Sequence, residues 1–287
     1  MEHLKIFINL TRLNKPIGIM LLFWPCSWGL AYAYKLNQDL NVFLYYLLLF
    51  FLGSLLMRSA GCIFNDIVDK DLDKRVERTK TRPIASGKIS IFTSFIYIII
   101  LCLVALLILL RFNSLTVILG LGSMLLAFTY PFMKRFTYWP QLFLGITFNY
   151  GLILGWTSIN SEISLIPVIF YFGAIFWTLG YDTIYGFQDI IDDEIIGLKS
   201  TSIKFKSNPN IFLFSCYTIF LLSLLSISIF MEMNKYYLIF FVLIFFQMFF
   251  LQLKKLDIKN SSSCLKTFKS NNFLGLLVFL ALIVGKL

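Results

Sequence analysis

The sequence predicts an all-α polytopic membrane protein: nine transmembrane helices around a central cavity that opens to the cytoplasmic side. Of its 287 residues, 59% are hydrophobic and only 14% are charged, whereas an ordinary soluble domain carries roughly 25% charged residues. Apolar runs long enough to cross a bilayer recur along the whole chain. No water in the hydrocarbon layer satisfies backbone groups, so runs of this kind must be helices.

Charges and turn residues between the apolar runs define the individual elements. The predicted spans, in chain order, are 16–34, 42–61, 91–110, 115–133, 140–159, 163–182, 210–231, 236–253 and 272–287. Two connections are long, at about residues 62–90 and 183–209, and the remaining ones are shorter. No hydrophilic linker or soluble segment divides the chain, so residues 1–287 are expected to form a single transmembrane domain.

The distribution of basic residues predicts the orientation. If the N-terminus is placed inside, only four of the 25 lysines and arginines fall outside: Lys35, Arg111, Lys235 and Lys286. Such an asymmetry predicts a cytoplasmic N-terminus, and an odd number of spans then places the C-terminus outside. The net charge of +10 is explained by this topology and by attraction to anionic headgroups, so no nucleic-acid partner is expected.

Acidic residues concentrate in the two long inside connections. The first cluster follows the second span, where Asn65, Asp66, Asp69 and Asp73 share one face if the helix continues past the membrane surface. The second cluster follows the sixth span, where Asp182, Tyr185, Asp189 and Asp193 step by three, four and four residues. Together with neighbouring acids off these stripes, the clusters hold nine of the 15 acids in the chain.

Like charges at helical spacing repel, so a positive partner is expected at each cluster. The single histidine, His3, lies in the N-terminal tail, and the five cysteines are scattered without metal-binding spacing. Carboxylate and amide oxygens suit Mg²⁺, whose coordination is typically completed by substrate phosphates. Arginines and lysines follow both clusters and can contact phosphate directly. The pattern therefore predicts a magnesium–diphosphate site, the alternative being a salt-bridged helix surface.

These residues resemble the UbiA superfamily of intramembrane aromatic prenyltransferases. Asn65-Asp66-x-x-Asp69-x-x-x-Asp73 matches the family motif NDxxDxxxD, and Asp182-x-x-Tyr185-x-x-x-Asp189-x-x-x-Asp193 matches its second aspartate-rich motif. The resemblance runs nearly end to end, and its further blocks are residues 12–16, 58–62, 78–87, 130–135 and 197–201. Two motifs on the same predicted side, with the intervening blocks in order, are far more specific than one aspartate pair.

Within this superfamily, the chain most resembles members that act on 4-hydroxybenzoate in ubiquinone biosynthesis. The resemblance implies Mg²⁺-dependent transfer of a polyprenyl group from its diphosphate to the ring carbon ortho to the acceptor hydroxyl. It also implies membrane lipid as surroundings, a bacterial inner-membrane type of location and a site that faces the cytoplasm. Mg²⁺ and basic residues are expected to stabilise the leaving diphosphate, and exclusion of water is expected to protect the allylic cation.

Roles for individual residues follow from the motifs and from their positions. The metal–diphosphate residues are expected to be Asn65, Asp66, Asp69, Asp73, Asp189 and Asp193. Direct phosphate contacts are expected from Arg78, Arg82 and Lys199. Asp182, about two turns membrane-ward of Asp189, is expected to orient or deprotonate the phenol, with Tyr185 shielding the cation. For the acceptor carboxylate, Arg135 is the first candidate, with Lys134 and Arg58 as rivals.

Other functions stay open on the sequence alone. A sister prenyltransferase with a different aromatic acceptor is the nearest alternative. A transporter also carries intramembrane acids, although these usually lie near the bilayer midplane in broken helices. A membrane phosphotransferase has a single compact acidic motif, whereas this chain has two separated ones.

Overall fold

The computed structural model describes residues 2–287, and this part of the chain is helical with no strand. Its α-helices, α1 to α14 in order, are Glu2–Thr11, Ile17–Ala33, Leu40–Val68, Lys70–Asp73, Ile91–Leu109, Ser114–Thr129, Met133–Phe136, Pro140–Asn160, Leu165–Gly186, Ile190–Ile195, Thr201–Lys204, Pro209–Phe230, Lys235–Phe246 and Ser261–Val284. A 3₁₀ turn, Tyr130–Phe132, joins α6 to α7. A π-helix, Gln247–Leu253, continues α13.

The prediction of an all-helical membrane bundle is confirmed. Within residues 2–287, eight helical segments are long and apolar enough to cross a membrane, and the 17-residue α2 is a shorter apolar helix. The count of nine spans, with α2 as the first, therefore remains a prediction. Large apolar side chains face outward along these helices: on α5, Ile99, Leu103 and Leu107 are each more than half exposed at four-residue spacing. An apolar outer surface of this kind is suited to lipid.

Several boundaries differ from the predicted ones, and the two ends of the chain differ most. The final helix begins at Ser261, not near residue 272, because Lys266 and Lys269 were taken as loop residues. Long basic side chains near a helix end reach the polar boundary, so they do not interrupt a membrane helix. The N-terminal segment predicted as a tail forms the helix α1, which packs on α3.

Helix α2 is central to the bundle and packs mainly against α8, with α3 and α14 as further neighbours. Glycines allow the close approach between α2 and α8. A Cβ atom on Gly29 would lie 2.0 Å from the Leu152 carbonyl oxygen, and one on Gly155 would lie 2.3 Å from the Cys26 carbonyl oxygen. Small residues at a membrane helix interface permit backbone contact of this kind. Helix α8 in turn packs against α9, and α9 packs against α12.

Helix α14 carries three consecutive polar residues that bond to three different neighbours. The Ser270 hydroxyl accepts a hydrogen bond from Gln252 of the π-helix at 3.0 Å. The Asn271 side-chain oxygen accepts from the Trp177 indole of α9 at 2.8 Å. The Asn272 side-chain oxygen accepts from the Trp24 indole of α2 at 2.9 Å. These polar contacts fix α14 against the π-helix, α9 and α2, and of these α9 leads to the second acidic cluster.

Candidate active site

The first acidic cluster lies where α3 ends and α4 begins. Helix α3 continues past the predicted span to Val68, and after a local break at Asp69 the chain forms the short helix α4. Asp66 and Asp69 are each 1% exposed, and Asp73 is 7% exposed. Three carboxylates are therefore buried within two turns of one another at the end of a membrane helix, where charge without a partner is costly.

Basic side chains surround the Asp66 and Asp73 carboxylates. Arg12 forms an ion pair with Asp66. Arg82 lies 3.2 Å from the same Asp66 oxygen and contacts both oxygens of Asp73, at 3.0 and 2.8 Å. Burial raises the pKa of Asp73, and the attraction of Arg82 opposes this shift. These guanidinium groups supply the positive charge that the sequence predicts beside the first cluster.

Asp69 differs from its neighbours because only one of its oxygens has a partner. Oδ2 pairs with the Lys134 ammonium and accepts a hydrogen bond from Asn65 at 2.9 Å. Oδ1 is buried and has no hydrogen-bond partner among residues 2–287. A buried carboxylate oxygen without a hydrogen-bond donor is unusual and costly. This atom is therefore available as a ligand for a cation.

The second cluster is not one continuous helical stripe, contrary to the spacing argument. Helix α9 carries Asp182 and Tyr185 and ends at Gly186, and the separate helix α10 begins after Asp189. Asp189 adopts a non-helical backbone conformation (φ −118°) as the N-cap of α10. Asp193 lies on α10, and its backbone N–H donates to the Asp189 carbonyl at 2.9 Å. The break redirects the last acids of the cluster relative to Asp182.

Arg78 joins the two clusters. It belongs to the loop after α4, yet its guanidinium pairs with Asp189 and donates a hydrogen bond to the Tyr185 hydroxyl at 3.1 Å. The same guanidinium carbon lies 5.7 Å from the centroid of the Tyr185 ring. The loop of the first cluster and the acids of the second therefore meet at one end of the bundle.

Acids of the second cluster hold their protons more tightly than usual. Burial raises the pKa of Asp189, although Arg78 draws it back down. Burial, together with the neighbouring Asp189, raises the pKa of Asp193 to about 6. Lys134, the partner of Asp69, also acts electrostatically on Asp193. Neighbouring carboxylates with raised pKa values beside basic side chains are typical of sites that bind a charged ligand.

The remaining basic candidates occupy different positions. The Lys199 ammonium donates to the Phe136 carbonyl at 3.3 Å and lies over the Tyr138 ring, so its described contacts do not include an acid of either cluster. Arg135 is exposed, and it donates to the Val68 carbonyl at the end of α3.

Arg58 lies earlier in α3 than Asp66, inside the membrane-spanning part. Its guanidinium carbon is 5.4 Å from the centroid of the Phe148 ring, and a Cβ atom on Gly18 would lie 2.6 Å from its Nε. The charge is close enough to Asp182 to interact with it electrostatically. Within residues 2–287, however, no ion pair forms with Arg58, and no side-chain hydrogen bond involves it.

Arg12 is the site residue that the sequence reasoning missed. It follows α1 with a backbone φ of 58°, a left-handed conformation rare for a non-glycine residue. Its guanidinium reaches Asp66, which is 54 positions away in the sequence. Arg12 opens one of the family-like blocks, which is the only signal in the sequence that could have indicated it.

The donor atoms of the first cluster fit Mg²⁺ in type. They are carboxylate and amide oxygens, and Asp69 Oδ1 is buried without a partner. Among residues 2–287, no three acidic, histidine or cysteine side chains are grouped closely enough to form a ready-made metal cluster. The acids are paired with arginine and lysine, which supply part of the expected counter-charge, and Mg²⁺ at this site stays a prediction.

The described geometry defines a class: a polytopic helical membrane protein with two acidic motifs interlocked with arginine and lysine at one end. The family model described as the UbiA prenyltransferase family matches residues 22–283 of the chain. The chain belongs to this family.

Curated relatives extend over nearly the whole chain. A human protein named 4-hydroxybenzoate polyprenyltransferase, mitochondrial, is 42% identical over 98% of this chain and 75% of its own length. A Drosophila pseudoobscura pseudoobscura protein of the same name is 41% identical over 99% of this chain and 71% of its own length. Their names place these relatives in mitochondria, which differs from the bacterial inner membrane expected from the sequence.

Solved structures share the fold. A UbiA homolog from Aeropyrum pernix in its apo form has a TM-score of 0.72 and 20% identity, covering 94% of this chain and 98% of that chain. A UbiA homolog from Archaeoglobus fulgidus, bound to DMAPP and Mg²⁺, has a TM-score of 0.71 and 18% identity, covering 96% of this chain and 98% of that chain.

Proposed function

We propose that this chain transfers a polyprenyl group from polyprenyl diphosphate to the ring carbon ortho to the hydroxyl of 4-hydroxybenzoate, releasing diphosphate. The observation that carries the proposal is the bridge from Arg78 to Tyr185 and Asp189. It brings the loop of the first acidic motif against the second motif at one end of the membrane bundle. The names of the curated relatives support 4-hydroxybenzoate as the acceptor.

The diphosphate is proposed to bind between the two motifs. Arg78 and Arg82 supply hydrogen-bond donors suited to phosphate oxygens. Asn65, Asp66, Asp69, Asp73, Asp189 and Asp193 are proposed to hold Mg²⁺ together with the diphosphate. When bound, Mg²⁺ supplies positive charge that offsets the charge of the leaving group. The Archaeoglobus homolog bound to DMAPP and Mg²⁺ supports a ligand of this class.

Binding of the diphosphate is expected to rearrange the ion pairs. Arg12, Arg82 and Lys134 now neutralise buried carboxylates. If those carboxylates hold Mg²⁺, the basic groups would be free to contact phosphate oxygens. The carboxylates then keep a counter-charge throughout, which avoids the cost of an unpaired buried charge.

Carbon–carbon bond formation follows from charge separation. The allylic C–O bond breaks, and its electron pair leaves with the diphosphate, which the arginines stabilise. The ortho carbon of the phenol attacks the cation-like allylic carbon, and loss of the ring proton restores aromaticity. Asp182 is proposed to orient or deprotonate the phenol, and the Tyr185 ring to shield the cation from water.

Arg58 is the residue we propose for the acceptor carboxylate. It is half-buried in α3, interacts electrostatically with Asp182, and none of the described ion pairs uses its guanidinium. The other two candidates are engaged elsewhere: Lys134 pairs with Asp69, and Arg135 is exposed at the end of α3. A free guanidinium suits bidentate recognition of a carboxylate.

The activity is tested by incubating membranes that contain the protein with radiolabelled 4-hydroxybenzoate and several polyprenyl diphosphates, with and without EDTA. Prenylated product that disappears with EDTA and returns with Mg²⁺ is expected. Product formed only with another aromatic acceptor would show that the chain is a sister enzyme. Flux of a solute into protein-containing liposomes, without prenyl transfer, would instead indicate a transporter.

The acceptor assignment is tested by Arg58→Gln, with Arg135→Gln as the matched control. Loss of a charged partner for the carboxylate is expected to raise KM for 4-hydroxybenzoate about tenfold or more while KM for the diphosphate changes little. An unchanged KM in Arg58→Gln would exclude this residue as the carboxylate partner.

We also propose the orientation that the basic residues predict: N-terminus and acidic site on the cytoplasmic side, C-terminus outside, with membrane lipid around the bundle. The bacterial inner-membrane type stays a prediction. Cysteine labelling from each side of sealed vesicles tests the orientation: a cysteine at exposed position 71 should react only from the inside.

A further inference from the structure

A cavity of about 420 Å³ lies at the end of the bundle opposite the acidic site. It is formed where α2, α8 and α12 end, and its lining includes Tyr32, Trp156, Met231 and Lys286. Its walls are mostly apolar and aromatic, and it is open on one side. None of the residues that we assign to prenyl transfer lines it.

Lys286 gives this cavity a half-buried positive charge. Its ammonium donates three hydrogen bonds, at 2.9, 2.6 and 2.8 Å, to the carbonyls of Ala31, Tyr32 and Tyr34. These carbonyls lie at the end of α2, where backbone acceptors lack helical partners. Burial lowers the pKa of Lys286 to about 8, so Lys286 is charged in most protein molecules at neutral pH.

The charge has no described counter-ion. Lys286 forms no ion pair with any residue from 3 to 287, and over the same range no acidic side chain lines the cavity, whereas Lys35 does. Carbonyl dipoles satisfy the ammonium hydrogens but do not neutralise its charge. An anion in the cavity would be attracted strongly, because the surrounding apolar walls screen charge poorly.

Two polar atoms in the same wall lack partners. The Trp156 indole N–H and the Tyr32 hydroxyl are buried and make no hydrogen bond with residues 2–287. Their rings pack together, with centroids 5.4 Å apart, and the Lys286 ammonium lies 5.7 Å from the Tyr32 ring centroid. An indole N–H can only donate, so the missing partner of Trp156 is an acceptor such as an anionic oxygen.

We propose that this cavity binds the headgroup phosphate of an anionic phospholipid from the leaflet opposite the acidic site. The charge of Lys286 attracts the phosphate, and the unpartnered groups of Trp156 and Tyr32 donate to its oxygens. A lipid is favoured over a free anion because the cavity opens at the ends of membrane helices. Its apolar walls also suit the glycerol and upper acyl carbons.

The test uses the full chain in detergent, depleted of lipid and titrated with phosphatidylglycerol or phosphatidylcholine. Native mass spectrometry counts the bound lipid. The expected result is one tightly held phosphatidylglycerol per chain, with a preference over phosphatidylcholine of about tenfold, and no displacement by inorganic phosphate. Equal retention of the two lipids would overturn the proposal, and displacement by inorganic phosphate would reassign the site to a free anion.

Substitutions of the cavity residues test whether phosphatidylglycerol binds in this cavity. Trp156→Phe keeps an aromatic ring but removes the donor, and is expected to weaken phosphatidylglycerol binding about tenfold. Lys286→Gln is expected to abolish the preference between the lipids. Trp139→Phe, at the other end of the bundle, and Lys235→Gln, exposed on the same end, are the matched controls and should bind as wild type. If Lys286→Gln does not fold, Trp156→Phe decides alone: unchanged binding refutes the site.

Discussion

Removal of the Arg78 guanidinium should separate catalysis from stability. In Arg78→Met, the ion pair to Asp189 and the 3.1 Å hydrogen bond to Tyr185 are lost. The Arg78 side chain is 44% exposed, and ion pairs at such positions contribute ~0–1 kcal/mol to folding. The fold should therefore survive. If Arg78 also donates to the leaving diphosphate, activity should fall about 100- to 1,000-fold, the effect of losing one donor to developing negative charge.

The assay measures Mg²⁺-dependent prenyl transfer in membranes and the apparent Tm of the detergent-purified protein side by side. Arg75→Met is the matched control, because Arg75 lies in the same loop, is exposed and makes none of the described side-chain contacts. Arg78→Lys keeps the charge but loses the paired donors, so its activity should lie between wild type and Arg78→Met. Activity of Arg78→Met within about threefold of Arg75→Met would refute the role of Arg78 at the diphosphate, since the proposed loss is about 100-fold or more.

Three further predictions concern the buried acids and the helix packing. Asp69→Ala should abolish Mg²⁺-dependent product without preventing membrane insertion, whereas Asp71→Ala, an exposed acid outside the stripe, should keep activity. Because Asp193 has a pKa of about 6 and must be ionised to bind a cation, kcat/KM should fall as pH drops through about 6, and Asp193→Asn should remove this transition. Gly155→Ala should destabilise the protein by about 1–3 kcal/mol, measured as a lower Tm.

The predictions for Asp193→Asn and Gly155→Ala each have a control. The raised pKa of folded Asp193 means that its ionised form opposes folding at neutral pH, so Asp193→Asn should lower activity to a level at which the pH profile is still measured, without loss of Tm. Gly53→Ala is the control for Gly155→Ala, since a Cβ atom on Gly53 meets nothing within 4 Å. A retained acidic transition in Asp193→Asn, or equal Tm values for the two glycine variants, would contradict the corresponding argument.

Local features of the site could be predicted from sequence, and distant pairings could not. Helical spacing correctly grouped Asp66, Asp69 and Asp73, because they occupy one helix end and its continuation. Helical spacing did not predict the positions of Asp189 and Asp193, because the chain leaves the helix after Gly186. Spacing reports a shared face only while the backbone stays helical.

Charge partners depend on the tertiary fold. Nothing in the spacing indicates that Arg12 reaches Asp66 or that Arg78 reaches the second cluster, since both contacts join separate elements. Lys199 follows the second cluster in sequence but contacts Phe136 and Tyr138, so its expected phosphate contact stays a prediction. Long flexible side chains can reach several partners, and only packing selects among them.

The polar triplet of α14 has a consequence for how the protein is made. A segment that carries Ser270, Asn271 and Asn272 into hydrocarbon is poorly suited to lipid alone, and its partners exist only once α2, α9 and the π-helix have been inserted. Biosynthesis and assembly are thereby coupled: the earlier helices form a template that receives α14. Chains in which α14 fails to dock would leave the indole N–H groups of Trp24 and Trp177 without their hydrogen-bond acceptors inside the bilayer.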